Sequence, residues 1–262
     1  MPPTPRPALL AAALLLLGAT TGCSLLAVQD TRTPGGAAAP VPPRQVVLTA
    51  AQALDDVGGA RIDVVEEGPD GRRTATGTLS WGARDEGALT VTDERGAGQL
   101  TVRDGALDLA YQGAPPRHAD RDTAESLDPR AADAAPGGYA GGWMTGLITN
   151  PGSRAYAMAQ TGKLGSLGGE QLAGVTVAHY RGSATVAEYF AADGELTPGR
   201  LAAVVDWYHR RGVQAIGYDV WVGPGEQLLK LRETVRGSAG TTVTTTDVSA
   251  LAAGDATPPA GT

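Results

Sequence analysis

Histidine and acidic side chains are the residues of this 262-residue chain that could support acid–base or metal chemistry. His118 precedes Asp120 and Asp122, but no second histidine or cysteine is near enough in sequence to complete a typical metal-ligand set. Adjacent strand residues point to opposite faces, so neighbouring carboxylates in a strand cannot converge on one substrate. The acidic pairs fall at predicted helix ends and turns, where solvated charges are expected: Asp55–Asp56, Glu66–Glu67, Asp85–Glu86 and Asp93–Glu94.

The motifs of common catalytic machineries are missing from the sequence. Gly165-Ser166-Leu167-Gly168 lacks the Gly-x-Ser-x-Gly spacing of a hydrolase elbow, and neither a phosphate loop nor a dinucleotide fingerprint occurs. The net charge is −7 and there is no basic run, which argues against a nucleic-acid partner. We therefore predict a protein that is not an enzyme and has no metal and no cofactor. A hydrolase with a scattered site is the least favoured alternative.

Cys23 is the only cysteine, and it follows a segment typical of export. Arg6 precedes an apolar run from Ala8 to Gly18, which has the length of a signal-peptide core and is too short to span a bilayer. Small residues then lead up to Cys23. We predict a signal peptide over residues 1–22. A single cysteine cannot form an internal disulfide, so its presence in an exported protein indicates another role; an incidental cysteine is the alternative.

The sequence around Cys23 resembles the lipobox of bacterial lipoproteins. The resemblance implies that the chain is cut before Cys23 and that its sulfur receives a diacylglycerol with fatty acids such as palmitate. Two acyl chains hold a protein firmly, whereas one gives marginal binding. The membrane is then a partner, and the predicted location is the extracytoplasmic face of the cell membrane. The scarcity of lysine beside arginine, with abundant Ala and Gly, suggests an actinobacterium.

The rest of the chain is predicted to form one domain between flexible ends. Residues 23–45 would be the lipid anchor and tether, residues 46–250 the domain, and residues 251–262 a disordered tail. Apolar periodicity predicts helices at 46–57 and 197–211 and an irregular to helical insert over 112–160, with short helices at 124–134, 143–148 and 153–160. Strands are predicted between 61 and 111, between 164 and 181, and between 215 and 248, with Asp104–Gly105 as a hairpin turn. The fold class is α+β, with a curled antiparallel sheet of about eight to eleven strands.

Two strand segments resemble a known group of proteins. Residues 169–182, which include Thr176, His179 and Tyr180, and residues 218–225 are similar to strand pairs of actinobacterial lipoproteins of the LppX/LprG type. These are related to the LolA/LolB lipoprotein carriers, and the resemblance covers residues 46–250. It implies a half-open β-barrel whose concave face is covered by helices, with space between them for acyl chains.

Apolar side chains of two helices are the candidate ligand-binding residues. They are Trp143, Leu147, Leu201, Val204, Val205 and Tyr208. The segment around Trp143 could be a lid that hinges at Gly141–Gly142 and Gly146, or a plug that fills the core. His179 could orient a lipid headgroup, although a strand histidine bonded to its neighbours is favoured, and His209 is expected on a solvated helix face.

Three functions remain open, and the first is preferred. It is a lipid-anchored, non-enzymatic protein that binds or carries an acyl-bearing amphiphile, a lipid or glycolipid, in an apolar cavity between sheet and helices. The second is an envelope sensor or adaptor that binds another protein. The third is the scattered hydrolase. A cavity of several hundred cubic ångströms, about 300 Å³ or more, would favour the first, and a filled core with an exposed apolar patch would favour the second.

Overall fold

The computed structural model describes residues 40–82, 85–129, 131, 139, 141–192 and 196–250. The chain divides into two units, Met1–Pro40 and Val41–Thr262, and every element below belongs to the second. The signal peptide, Cys23, the tether up to residue 39 and the tail from residue 251 lie outside the described residues. Those assignments stay predictions.

The helices of the described residues begin and end at recognisable capping residues. Pro43 occupies the first turn of α1, where its missing N–H costs nothing, and Gly58 ends that helix with a φ of 76°. The hydroxyl of Thr197 accepts a hydrogen bond from the Arg200 N–H at the start of α5. The α-helices are α1 Pro43–Val57, α2 Trp143–Ile148, α3 Pro151–Gln160, α4 Val186–Ala191 and α5 Pro198–Arg210, and a 3₁₀ helix covers Arg121–Leu127.

Eleven strands form one antiparallel sheet that is not closed. Their bounds are β1 Gly59–Gly68, β2 Gly71–Ser80, β3 Glu86–Asp93, β4 Gly96–Arg103, β5 Ala106–Tyr111, β6 Arg117–Asp120, β7 Gly165–Leu172, β8 Val175–Thr185, β9 Ala215–Val222, β10 Leu228–Gly237 and β11 Gly240–Ala250. The order is β6-β5-β4-β3-β2-β1-β11-β10-β9-β8-β7, so two meanders meet where β1 pairs with β11. That ladder runs from Ala60 opposite Ala250 to Glu67 opposite Val243.

The concave face of the sheet is the buried one. In β1, Ile62 and Val64 are buried, whereas the intervening Arg61 and Asp63 are exposed. Helix α1 packs on β1, β9 and β10, while α3 and α4 pack on β8 and its neighbours. An antiparallel sheet with one apolar face needs such a cover. The predicted α+β fold, a curled antiparallel sheet with helices over its concave face, is confirmed.

Some predicted elements differ from the structure, and each difference has a local cause. Helix α1 begins at Pro43, three residues before the predicted start at residue 46, because proline is tolerated in a first turn. The helix predicted over 124–134 is instead the 3₁₀ helix Arg121–Leu127, whose Thr123 has a non-helical conformation, and Pro129 disfavours its continuation. Most of residues 130–138 lie outside the described part of the chain.

Strand β6 and helix α4 were not predicted from the sequence. Strand β6 is only four residues long and has charged residues instead of apolar alternation. Helix α4 is only six residues long, yet it has a detectable start signal. The Thr185 hydroxyl accepts from the Glu188 N–H while the Glu188 carboxylate accepts from the Thr185 N–H, which is a capping box.

A stability test follows from the turn between α3 and β7. Gly162 has a φ of +60°, and a Cβ there would overlap the carbonyl of Ser183. Gly225 has a similar φ of +67° but open space around a Cβ. We expect Gly162→Ala to lower the free energy of unfolding by about 2–5 kcal/mol, and Gly225→Ala by only about 1–2 kcal/mol. Urea unfolding of both variants measures the difference; equal losses would show that the close approach does not matter.

Candidate functional site

A cavity of about 400 Å³ lies between the concave face of the sheet and the helices. Its sheet wall comes from β1, β2, β9, β10 and β11, and its helix wall from α2, α3, α4 and α5. It reaches the turn between β1 and β2 at Pro69–Asp70 and the turn between β10 and β11 at Ala239–Gly240. Small-molecule sites have volumes of about 300–1,000 Å³, so the space is large enough for a ligand.

The helix wall is mainly aromatic. The rings of Phe190 and Tyr208 lie 5.3 Å apart between centroids, and Trp207 meets Tyr208 edge-on at 4.8 Å. Trp143 and Leu147 of α2 extend this wall. Burial raises the pKa of Tyr208, so its hydroxyl stays neutral throughout the physiological pH range. These groups offer apolar surface and no charge.

The sheet wall is polar and contains ion pairs. The Arg73 guanidinium lies 3.2 Å from Glu66 and 2.7 Å from Glu94. Burial alone would lower the pKa of Arg73, but the hydrogen bond to Glu94 and the charge of Glu66 outweigh it and raise the pKa. The Thr244 hydroxyl donates to Glu66 at 3.3 Å. This part of the wall is therefore charged, yet internally paired.

A second ion pair connects the helix layer to the sheet. Arg154 of α3 pairs with Glu233 of β10, and their side chains are only 10% and 16% exposed. Tyr189 of α4 also donates to Glu233, and Arg154 donates to the Thr246 hydroxyl at 3.3 Å. Side chains of α3 and α4 thus bind β10 beside the cavity.

Among the described lining residues, the carboxylates outnumber the arginines: Glu66, Asp70, Asp128 and Glu233 against Arg73, Arg154 and Arg211.

The apolar cavity expected from the sequence also has charged groups in its wall. Sequence reasoning placed the Glu66–Glu67 pair among solvated charges. Glu67 does face outward with its side chain 63% exposed, but Glu66 faces the cavity. The alternation of side chains along a strand had correctly placed Glu66 and Glu67 on opposite faces of the sheet. What it could not reveal was that helices cover the sheet at this position.

The predicted ligand-binding residues divide into two groups. Trp143, Leu147 and Tyr208 line the cavity, whereas Leu201, Val204 and Val205 are not among its described lining residues. Val204 is buried and Val205 packs against the core, so α5 uses them for packing and presents Trp207 and Tyr208 to the cavity. Ligand contact by any of these side chains stays a prediction. Sequence reasoning missed Trp207, and also the lining residues Arg73, Tyr139, Arg154, Tyr189 and Phe190.

The segment around Trp143 contributes both to the core and to the cavity wall. Met144 and Ile148 are buried in the core, while Trp143 and Leu147 belong to the cavity wall. Gly141 has a φ of +134°, a conformation that side chains rarely adopt, and a Cβ at Gly146 would meet open space. The lid motion proposed for this segment stays a prediction.

His179 lies in a separate cluster on the outer face of the sheet. Its Nε2 is 2.7 Å from an Asp219 oxygen, its Nδ1 is 3.3 Å from Glu170, and its ring stacks on Trp221 with centroids 4.3 Å apart. Burial alone would raise the pKa of Asp219, but hydrogen bonds from Arg181 and His179 outweigh it and lower the pKa. The favoured interpretation, a strand histidine bonded to its neighbours, agrees with this position.

The other two histidines lie on the surface. His118 pairs with Asp108 of the neighbouring strand, and His209 is exposed in the last turn of α5. Among the described residues, no group of three or more His, Cys, Asp or Glu side chains could hold a metal ion. No helix in the described part of the chain is long and apolar enough to cross a membrane.

Comparison with known proteins finds similarity in solved structures only. No family model matches the chain, and neither does any curated protein. LppX of Mycobacterium tuberculosis is 11% identical with a TM-score of 0.44, over 79% of this chain and 92% of that chain. LprF of Mycobacterium bovis is 11% identical with a TM-score of 0.45, over 79% and 91%. A LolA superfamily protein of Nitrosomonas europaea is 10% identical with a TM-score of 0.31, over 80% and 92%.

These structures include the kinds of protein to which the strand motif was likened. The similarity is to a lipoprotein, to LprF and to a LolA superfamily protein. At this identity it assigns no role to any residue of this chain.

The buried ion pair between α3 and β10 gives a test of the wall. Because Arg154→Met leaves Glu233 buried without its cation, we expect the free energy of unfolding to fall by about 3–5 kcal/mol. The exposed Arg210–Asp206 pair is the control, and Arg210→Met should change stability by about 0–1 kcal/mol. In the double variant with Glu233→Gln, part of the loss should be recovered. A double variant at the sum of the single losses would contradict coupling between the two side chains.

Proposed function

We propose that this protein binds an acyl-bearing amphiphile in the cavity between sheet and helices and acts as a carrier or holder, not as an enzyme. The observation that supports this most directly is the volume of about 400 Å³ beneath the helices. A filled core would have left no room for a ligand. Binding alone makes and breaks no covalent bond, so this function requires no catalytic groups.

The two walls of the cavity suit the two parts of an amphiphile. The aromatic helix wall around Phe190, Trp207 and Tyr208 can remove an acyl chain from water. The paired charges of the sheet wall, such as Arg73 with Glu66, can hydrogen-bond a polar headgroup. The pairing leaves unused hydrogen-bonding capacity on carboxylates such as Glu66, whose oxygens can each accept more than one hydrogen bond.

We further propose that a lipid on Cys23 holds the domain at the extracytoplasmic face of the cell membrane. The sequence before Cys23 has the features of an export signal, and Cys23 is the only cysteine. The residues between Cys23 and the start of α1 at Pro43 would form the tether. A tether of about 20 residues would allow the domain to reach both the membrane surface and a nearby acceptor.

Binding to another envelope protein is the second candidate function. Strand β7 is an edge of the sheet, and seven of its eight residues are exposed. Leu167 and Val175 at this edge are 54% and 40% exposed. An edge strand can accept an extended partner segment through backbone hydrogen bonds. The bulge between Ser166 and Gly168 would limit the length of such pairing.

Filling the cavity should abolish ligand binding. Gly146 lines the cavity, and a Cβ added to it would have no neighbouring atom within 4 Å, so Gly146→Leu would occupy the space without a backbone clash. Gly199 of α5 also has open space but is not a lining residue, so Gly199→Leu is the matched control. We expect lipid co-purifying with residues 40–262 to fall at least about fivefold in Gly146→Leu only. Mass spectrometry of organic extracts, per mole of protein, measures this.

Two results would count against the carrier function. One is wild-type protein that retains no lipid even after incubation with native membrane extracts. The other is equal lipid in Gly146→Leu and in the wild type, which would place any bound lipid elsewhere. Either outcome would favour the adaptor function, with the β7 edge as the surface that binds the partner.

The anchor is tested separately in the full-length chain. Because a thioether to diacylglycerol needs the sulfur, we expect Cys23→Ser to abolish incorporation of labelled palmitate and to move the protein from the membrane fraction to the soluble fraction. Metabolic labelling followed by cell fractionation measures both. Labelling that persists in Cys23→Ser would refute the assignment, whereas lost labelling with unchanged membrane association would indicate a second attachment.

A further inference from the structure

On the outer face of the sheet, a buried carboxylate holds two arginines. Asp219 of β9 is only 4% exposed. In the strand register it lies between Arg181 of β8 and Arg232 of β10. It accepts hydrogen bonds from Arg181 Nε at 2.7 Å and from Arg232 Nη2 at 3.1 Å. One carboxylate balances the charge of only one guanidinium group, so Asp219 fixes more positive charge on this face than it neutralises.

Both guanidinium groups keep nitrogens that are open to a further partner. The side chains of Arg181 and Arg232 are 53% and 37% exposed. Within the described part of the chain, Arg181 hydrogen-bonds through Nε alone, and Arg232 through Nε and Nη2. Both Nη groups of Arg181 and Nη1 of Arg232 therefore have no acceptor there. An arginine that is fixed at one edge of its fork and free at the other is preorganised to bind a second anion.

The strand register places small residues beside this pair of arginines. Gly217 precedes Asp219 by two residues, so it shares the outer face of β9 and lies about 7 Å away along the strand. Its neighbours on that face are Ser183 of β8 and Thr234 of β10. Gly217 has no positive φ, and a Cβ there would make only ordinary contacts, the nearest at 3.7 Å, so the fold does not require glycine. Its missing side chain leaves open surface next to the guanidinium groups.

A third arginine borders the same surface. Arg236 follows Thr234 by two residues on the outer face of β10 and is exposed. Among the described residues it has no ion-pair partner. Three arginines against the one carboxylate of Asp219 leave this surface a net charge of +2, although the whole chain carries −7. The other outward carboxylates of this part of the sheet have partners of their own: Glu170 with His179, Asp247 with Lys230, and Glu67 with Arg72.

The charge and the donors of this surface suit a small dianion with several oxygens. Guanidinium forks bind phosphate oxygens in pairs, and the hydroxyls of Ser183 and Thr234 can donate to the oxygens that remain. A phosphate monoester carries a charge of about −1.5 to −2 at neutral pH, which complements the net charge of +2. A carboxylate has a single charge and two oxygens, so it would use only part of the surface.

We propose that Arg181, Arg232 and Arg236 form a binding site for a phosphate monoester above Gly217. None of these four is among the described residues that line the cavity, so the site is separate from the one proposed for the amphiphile. The monoester can be a free phosphorylated molecule or the headgroup of a membrane lipid, because both present the same three oxygens to the arginines.

Two probes test the site in the full-length chain, purified in a neutral detergent. Glycerol 3-phosphate represents the free monoester, and phosphatidic acid mixed into the micelles represents the headgroup; glycerol and phosphatidylcholine are their matched controls. By isothermal titration calorimetry we expect a Kd of about 1 mM or lower for one monoester or both, and at least about threefold weaker binding of the matching control. Binding of both monoesters identifies the phosphate itself as the ligand, and binding of only one identifies its source.

Charge variants assign the binding to this surface. Arg236→Gln removes a charge that has no ion-pair partner among the described residues, so monoester binding should weaken about threefold to tenfold without loss of folding. Arg72→Gln is the matched control, because Arg72 is an exposed arginine on the same face of the sheet, four strands from β9. Arg181→Lys keeps the charge and loses the fork. It should weaken binding as well, whereas a non-specific attraction between charges would be unchanged.

A steric variant tests the position of the ligand without altering any charge. Gly217→Val fills the open surface, and Gly169→Val on β7 is the control, because a Cβ at either glycine would make only ordinary contacts. We expect monoester binding to fall at least about fivefold in Gly217→Val only. No response of the wild type to either monoester at about 10 mM would overturn the inference, as would unchanged affinity in Arg236→Gln or in Gly217→Val. Lipid retention in the cavity is measured on separate variants, so these results do not bear on the carrier function.

Discussion

The pairing of β1 with β11 is the constraint on which the remainder of this structure depends. It joins two meanders, β1 to β6 and β7 to β11, that are otherwise separate in the order of the sheet. Its partners are far apart in the chain, as Ile62 opposite Val248 shows. Closing so long a loop costs entropy before any contact compensates, so the ladder depends on its backbone hydrogen bonds and on inward-facing side chains such as Ile62, Val64 and Val248, which are buried. The cavity wall then straddles the junction, with Glu66 from β1 opposite Thr244 from β11.

The same junction explains why the helices do not collapse onto the sheet. Apolar surfaces pack to crystal-like density when nothing prevents it. Here the sheet wall places the Arg73–Glu66 pair among apolar residues such as Val64. Closer packing of the aromatic rings of α4 and α5 on Glu66 would remove its remaining hydration, which is unfavourable. The Arg154–Glu233 pair connects α3 to β10 at the edge of the cavity. The ion pairs therefore oppose collapse of the helices onto this part of the sheet.

Local features of the fold could be predicted from the sequence, and non-local ones could not. Strands β5 and β9 lie within the ranges predicted to contain strands, and the Asp104–Gly105 turn has the positive φ values of a hairpin, 48° and 84°. The signals for these elements lie within a few residues. The β1–β11 pairing has no such signal, because alternation shows which face is buried but not which strand lies alongside. For the same reason Glu66 could be placed on one face of its strand and still be mistaken for a solvated charge.

At the candidate site, too, the sequence identified the helix but not the residues that face the cavity. Helix geometry explains the difference. The apolar stripe of α5 was identified correctly, but a stripe wider than about 100° faces more than one neighbour. Val204 and Val205 pack inward, so only the edge of the stripe at Tyr208, with Trp207 beside it, reaches the cavity. The sequence could identify a helix that borders the cavity but not the residues of that helix that line it. Aliphatic residues at the centre of a helix's apolar face pack into the core. Aromatic residues at the edge of that face are therefore better candidates for ligand contact.

An open cavity and unpaired polar groups beside it lower the free energy of unfolding of the empty protein. A ligand bound there would raise it. The atoms around the cavity lose dispersion contacts. Two buried donors, Trp143 Nε1 and the Thr145 hydroxyl, have no hydrogen-bond partner among the described residues. A ligand that binds only the folded state adds stability in proportion to the logarithm of its concentration above Kd. Since the cavity wall includes strands on both sides of the β1–β11 ladder, that added stability acts on the pairing that joins the two meanders. A ligand bound in the cavity, as proposed, would therefore stabilise the sheet as well as the helices that cover it.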